Sequence, residues 1–280
     1  MSYRNFIPEI WSEAINRDLE RMHIFAKHTN RQYEGEVSQK GDSVRILGIG
    51  SPTVTEVERE AFNGLSAAET IEDTSTVLRI DRMSTFNYKI DDIDKRQAVK
   101  GIMEALTAET SEKLADKQDR FIANLSLDPL AVKDEKTAYQ LTKDNILDKL
   151  MLVHQKLMEN DVAFSTKVSV IVPPAVATLY KQARIGVDTD NSSMLENGQI
   201  GKFDGMDIYV SNNVCTNVSG GKTLQLIQVK TDRAIAFARP MTHTEAYRPD
   251  LEFTDAIKGF VLYGAKIVRP KEMFVMNCYL

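Results

Sequence analysis

Residues Gly198–Val214, GQIGKFDGMDIYVSNNV, decide the reading of this chain together with the run Glu245–Pro270, EAYRPDLEFTDAIKGFVLYGAKIVRP. In the first stretch Met206, Ile208 and Val210 alternate with Asp207, Tyr209 and Ser211, the period of two expected of a half-buried strand. FDGM marks the place where a polar loop gives way to that strand, so Gly205 is expected at a turn that a side chain tolerates poorly. Neither stretch carries the residue set of an enzyme site.

Working outward, KVSVIV (167–172) reads as a strand and Pro173-Pro174 opens a helix, while DTDNSSMLENGQ (188–199) reads as a loop. Downstream, LQLIQV, RAIAFA, FTDAIKGFVLYG and AKIVRPKEMFVMN all read as strands. Upstream, a helix is expected from Thr142 to Asn160 with Ile146, Leu147, Leu150, Met151, Leu157 and Met158 inward; His154 shares that face and reads as a packed, hydrogen-bonded histidine. Before it, Val99, Ile102, Met103, Leu106, Leu114, Phe121, Ile122 and Leu125 keep helical spacing from a start at Asp91-Asp92 to a stop at Asp128-Pro129. That predicts a helix of roughly 35 residues, about 50 Å long. No sustained heptad runs through it, so it reads as a packed spine.

Nearer the N-terminus, SVRILGI and STVLRIDRMSTFNYKI read as strands joined by a polar, acidic connection. So long a connection between two strands is unusual in a compact domain and marks a functional or disordered loop. Pro8 starts an amphipathic helix in which Ile10, Trp11, Ala14, Ile15, Leu19, Met22 and Phe25 recur to about His28.

At 280 residues, with 42% hydrophobic and 27% charged, the chain has the composition of a globular protein with a sizeable core. A formal net charge of -5 argues against broad electrostatic capture of nucleic acid or anionic membrane, so any DNA contact is expected to be local or weak. The two cysteines, Cys215 and Cys278, have no metal-ligand spacing and suit a reducing cytoplasm. The longest apolar stretch, Val168 to Tyr180, is interrupted by prolines and too short for a bilayer. The sequons at Asn124, Asn191 and Asn217 therefore carry no weight.

Motifs with chemistry fail one by one. Ser219-Gly220-Gly221-Lys222-Thr223 resembles the end of a phosphate-binding loop, but Thr216 stands where the first glycine belongs and a strand follows where a helix is needed, so a hairpin turn is expected. Asp91, Asp92 and Asp94 sit where acids favour a helix start. His23, His28, His154 and His243 have no zinc-protease spacing, and no nucleophile elbow is present. No catalytic, cofactor-binding or metal residue is expected, although separated residues of a carboxylate-dependent enzyme would leave no local trace.

The two opening stretches resemble the axial-domain strand and the closing strands of tailed-phage major capsid proteins of the Hong Kong 97-type fold, and the resemblance extends along most of the chain. It implies an α+β fold with an N-terminal arm (1–40), an extended β-hairpin called the E-loop with its base strands (41–90), a peripheral domain with the spine helix (91–140), an axial domain (141–240) and closing strands of both domains (241–280). The long peripheral strand is expected to return to the axial sheet at YGAKIVRP. The implied function is a structural shell protein, assembled in a bacterial host cytoplasm through hexamers and pentamers into an icosahedral virion capsid around double-stranded DNA. Portal and decoration proteins are implied partners; a membrane is not. An encapsulin-like nanocompartment shell is the alternative with the same fold.

A hairpin without a core of its own needs a neighbour to stay ordered. Glu56, Glu58, Arg59, Glu60, Glu69, Glu72 and Asp73 are therefore the candidate intersubunit contacts. Two departures qualify the resemblance. Some relatives join an E-loop lysine to an asparagine, yet between Lys40 and Lys89 the only basic residues are Arg45, Arg59, Arg79 and Arg82. A long N-terminal helical extension is also missing, so a separate scaffolding protein is expected.

Overall fold

The computed structural model describes residues 15, 17–20, 22–34, 43–49, 73–91, 102–163, 165–185, 199–247 and 254–280. In chain order they form β1 (Ser43–Ile49), β2 (Asp73–Arg79), β3 (Arg82–Asp91), α1 (Ile102–Asn124), β4 (Val132–Lys133), β5 (Tyr139–Gln140) and α2 (Ile146–Glu159). Then come β6 (Val168–Val172), α3 (Pro174–Ile185), β7 (Gln199–Phe203), β8 (Met206–Val210), β9 (Cys215–Ser219), β10 (Lys222–Thr231), β11 (Ile235–Tyr247), β12 (Thr254–Ile267) and β13 (Met273–Tyr279).

Among the described residues the strands build three sheets: an eight-stranded one in the order β4-β13-β10-β6-β8-β7, with β5 joining β13 and β9 joining β10; a three-stranded one, β11-β12-β3; and the ribbon β1-β2. The opening stretch corrects its own reading at β8. Alternation is present, but the strand is buried on both faces, because β8 lies inside the sheet, parallel to β6 and antiparallel to β7. Met206 and Ile208 join a core beneath α2 and α3, while Tyr209 faces the opposite core with Ile122, Phe237 and Met273. Helices on one side and α1 on the other cover the sheet, which is the burial that parallel pairing demands. The buried Asp207 is compensated by Lys167 at 3.6 Å and Lys202 at 3.5 Å.

The turn before β8 has Asp204 at φ 50° and Gly205 at φ 78°, both left-handed, as a two-residue hairpin loop with the strand-matching twist requires. Gly220 (59°) and Gly221 (74°) make the same kind of turn between β9 and β10, with Ser219 opposite Lys222. The phosphate-loop look-alike is therefore a hairpin turn.

Helix boundaries and faces need correction. Asp91 is the last residue of β3, paired with Thr254, and the helix start expected after Asp91-Asp92 lies outside the described residues. The spine is described over 23 residues, Ile102–Asn124, and passes through a 3-10 turn, Leu125–Leu127, before Asp128 turns extended ahead of Pro129. On α2 the buried stripe is Ile146, Leu150, Val153, His154 and Leu157, and Met151 and Met158 lie outside it at 44% and 39% exposure. At the N-terminus, Ile15 and Leu19 pack against Leu114, Ala115 and Val261, but Met22 is exposed and the chain has left the helix by His23, with Ala26–His28 a 3-10 turn. Trp11 lies outside the described residues.

The closing run is one 14-residue strand, β12, held between β11 and β3. Tyr263–Ile267 still belongs to it, with Ile267 opposite Ile235, and the chain enters the eight-stranded sheet only at Met273. The register of β11 slips between Ala238 and Met241, across Arg239-Pro240, where proline has no N–H to give the ladder.

Candidate intersubunit surface

The ribbon β1-β2 pairs without a slip from Ser43 opposite Arg79 to Ile49 opposite Asp73. Its inner face, Val44, Ile46 and Leu78, packs with Ile80 on Ala236, Ala238 and Leu262, while Arg45, Val77 and Arg79 face outward. The ribbon meets β12 at Gly264, where a Cβ would collide with the Arg79 carbonyl oxygen. A side chain there would lift the ribbon from its seat.

Of the candidate contact residues, Asp73 opens β2 opposite Ile49. Glu56, Glu58, Arg59, Glu60, Glu69 and Glu72 lie outside the described residues. The described ribbon is therefore the mount on which that acidic stretch is carried, and it is seated on the strands that also hold the segment 23–34.

That segment is fixed by polar groups that sequence reasoning missed. Asp119 on α1 lies 3.1 Å from His23 Nδ1 and accepts the backbone N–H groups of Ile24 (2.8 Å) and Ala26 (3.1 Å). Lys230, fully buried in β10, donates its ammonium to the His28 carbonyl. Burial lowers the Lys230 pKa to about 8 against the opposing pull of Asp232 and Asp119. The His28 ring lies 4.2 Å from that of Tyr209. Asn30 adds a strand-like bridge to β11, taking the N–H of Phe237 and donating to Ile235, both at 2.9 Å.

Glu20 ties this segment to the base of the long strands through Arg239 (2.6 Å) and Arg31 (2.5 Å). Burial acts to raise the Glu20 carboxyl, but the Arg31 hydrogen bond and the charges of Arg31, Arg239 and His23 hold it below its ordinary value. Gln228 performs a parallel task at the end of α1, donating to the Ile122 and Ala123 carbonyls and to Ser126 Oγ, which satisfies helix-end acceptors inside the core. Burial pushes the Cys278 thiol up to about 12, so it serves as a packing residue. Among the described residues no helix is long and apolar enough to cross a membrane.

By sequence the chain matches no protein-family model and no curated protein. By fold it resembles solved phage and virus-like-particle structures. A structure from Mycobacterium phage Che8 is 25% identical, with 91% of each chain covered and a TM-score of 0.66. The asymmetric unit of the bacteriophage PhiM1 mature capsid is 17% identical, covering 91% of this chain and 87% of that one at a TM-score of 0.65. The virus-like particle from Pyrococcus furiosus is 13% identical, covering 96% and 98% at a TM-score of 0.59. The helices, the covered eight-stranded sheet, the long three-stranded sheet and the seated ribbon together define the Hong Kong 97-type capsid fold. Most of the solved neighbours are phage structures, the PhiM1 mature capsid among them, so the fold is that of a phage capsid.

Proposed function

We propose that this chain is the major capsid protein of a tailed phage, a structural subunit without catalysis that builds an icosahedral shell around double-stranded DNA from hexamers and pentamers. The observation that carries the reading is the end-to-end likeness to phage capsid structures, about nine-tenths of both chains in each phage comparison above. Repeated heterologous contacts that close into rings turn such subunits into capsomers. On this reading residues 1–40 are the arm, 41–90 the E-loop and its base, 91–140 the peripheral domain with the spine, 141–240 the axial domain and 241–280 the closing strands.

The acidic stretch Glu56–Asp73 is then the clamp that reaches a neighbouring subunit, with Glu56, Glu58, Arg59, Glu60, Glu69, Glu72 and Asp73 as its contact residues. A separate scaffolding protein and a portal are the partners of assembly in the host cytoplasm, a decoration protein a further possible one, and DNA is touched weakly, as the net charge of -5 suggests. A second reading, a nanocompartment shell around cargo, is favoured by the match of 96% of this chain to the virus-like particle from Pyrococcus furiosus, at a lower TM-score than the Che8 and PhiM1 structures. Negative-stain microscopy of the overexpressed chain tests the shell, with rings, shells or tubes expected. Mass spectrometry and absorbance of purified particles separate the two readings: DNA with portal for the first, a cargo enzyme for the second. A chain that stays monomeric at high concentration with its scaffold present refutes both.

A further inference from the structure

A groove of about 440 Å³ opens between residues 29–33, the turn from β10 to β11 and the segment after β12. Arg31, Arg233 and Arg269 line it against one carboxylate, Asp232. These charges are not equally available. Asp232 is engaged behind the groove, its Oδ1 3.6 Å from the buried His28 Nδ1. Burial acts to raise its carboxyl, but the neighbouring His28, Lys230 and Lys167 hold it below its ordinary value. Arg31 is committed to Glu34 and Glu20 through Nε, Nη1 and Nη2. Arg269 gives Nη1 to Glu272 at 2.8 Å, and the exposed Arg233 makes no ion pair among the described residues. The groove thus presents guanidinium forks of the kind that match carboxylates in pairs.

We propose that this groove receives the carboxylates of the stretch Glu56–Asp73 from a second copy of the chain. The proposal rests on the shell reading. Charge selects the occupant: between Glu56 and Asp73 stand Glu56, Glu58, Glu60, Glu69, Glu72 and Asp73 against the single base Arg59. Position selects the copy. Tyr33 and Val268, which border the groove, also pack on the base of the chain's own ribbon. The ribbon's other end, Ile49 and Asp73, is about 20 Å along the strands from the pair Ser43 and Arg79. A groove beside its own ribbon base is met most directly by the far end of a neighbour's ribbon.

The test is a charge swap in the full-length chain. R233E/R269E should slow low-salt assembly by at least about tenfold, the scale of electrostatic steering, and adding E56K/E58K/E60K to that chain should restore it. Circular dichroism and thermal melting of each subunit check that the fold is kept; should the reversed charges unfold it, R233Q/R269Q replaces them and is expected to flatten the salt dependence of the assembly rate. Assembly of R233E/R269E at the wild-type rate overturns the proposal. So does lost assembly in a folded subunit that the reversed stretch fails to rescue. Loss of binding to a 20-base-pair duplex with assembly unchanged would assign the groove to DNA phosphates instead, which also overturns it. The wild-type chain reports on the shell reading: if it forms no particle, both readings fall, whereas wild-type particles with an indifferent groove overturn the groove alone.

Discussion

The Asp119 carboxylate and the His23 imidazole meet at 3.1 Å across 96 residues of chain, both nearly sealed from solvent. Asp119 also holds the N–H groups of Ile24 and Ala26, so one side chain of the spine helix satisfies three donors of the segment that crosses it. A carboxylate so engaged is structural, because its removal strands donors that water cannot reach.

Asp119→Ala is accordingly expected to lower subunit stability by about 3 kcal/mol, the scale of several buried donors left unpaired. Denaturant unfolding measures it, and limited proteolysis should show cleavage within 23–34 appearing before cleavage elsewhere. An unchanged midpoint and cleavage pattern would mean that the segment is held by its apolar contacts, Phe25 and Ala26, and not by Asp119.

Lys230 makes a pH prediction of definite sign. Its folded pKa of about 8 lies below the ordinary lysine value near 10.5, so burying the ammonium costs on the order of 3 kcal/mol at neutral pH. From about pH 8 to 10.5 the unfolded chain holds the proton that the folded chain has released, so stability rises with pH through that window. Lys230→Met should remove this rise. Unfolding curves collected across the window for both proteins check it; parallel curves would show that Lys230 does not titrate there.

Much of the fold is legible in the sequence wherever apolar periodicity and turn chemistry agree. FDGM and SGGK read as turns from glycine alone, and KVSVIV and the Pro173-Pro174 helix start read correctly because both signals coincide. Reading failed where tertiary context chose the face. Met151 and Met158 look inward by composition, yet the stripe centred on Val153 and His154 won the core. β8 alternates like a half-exposed strand, but its place between β6 and β7 buries both sides. Of the anchoring groups, Asp119 left one trace, a carboxylate in line with Ala115 and Ile122 on the spine; Lys230 left none, because nothing in LQLIQVK tells which end of the strand passes beneath another segment.

Glycine positions separate two kinds of strain. Gly205→Val, at φ 78°, puts a branched side chain in a left-handed turn and should cost roughly 1–3 kcal/mol with lower soluble yield. Gly264→Ala fails for a different reason: its Cβ meets the Arg79 backbone, so the ribbon must move, and assembly should fall more than subunit stability does. Melting temperature and particle yield, measured on both variants, distinguish the two, and equal losses of both quantities would show that the ribbon seat has no special part in assembly.

Covalent welding through the ribbon is expected to be absent. Arg45, Arg59, Arg79 and Arg82 stay protonated and cannot act as the amine nucleophile that an isopeptide bond requires. Boiled particles should run as single chains near 31.5 kDa on a denaturing gel. A ladder that survives reductant would place a cross-link elsewhere in the chain.

The acidic stretch itself supplies the last prediction. It is carried on a seven-pair ribbon that is already seated on Ala236, Ala238 and Leu262, so the subunit core does not depend on what the ribbon carries. Replacing Val57–Ile71 with a short Gly-Ser turn should leave a folded subunit with an unchanged melting temperature that assembles poorly. Because exposed ion pairs steer encounters more than they add affinity and are screened within about 8 Å at physiological salt, wild-type assembly should slow as salt rises and the shortened chain should not respond. Light scattering at several salt concentrations measures both. If the shortened chain assembles at the wild-type rate, or if its monomer unfolds, the stretch is not the clamp between neighbours.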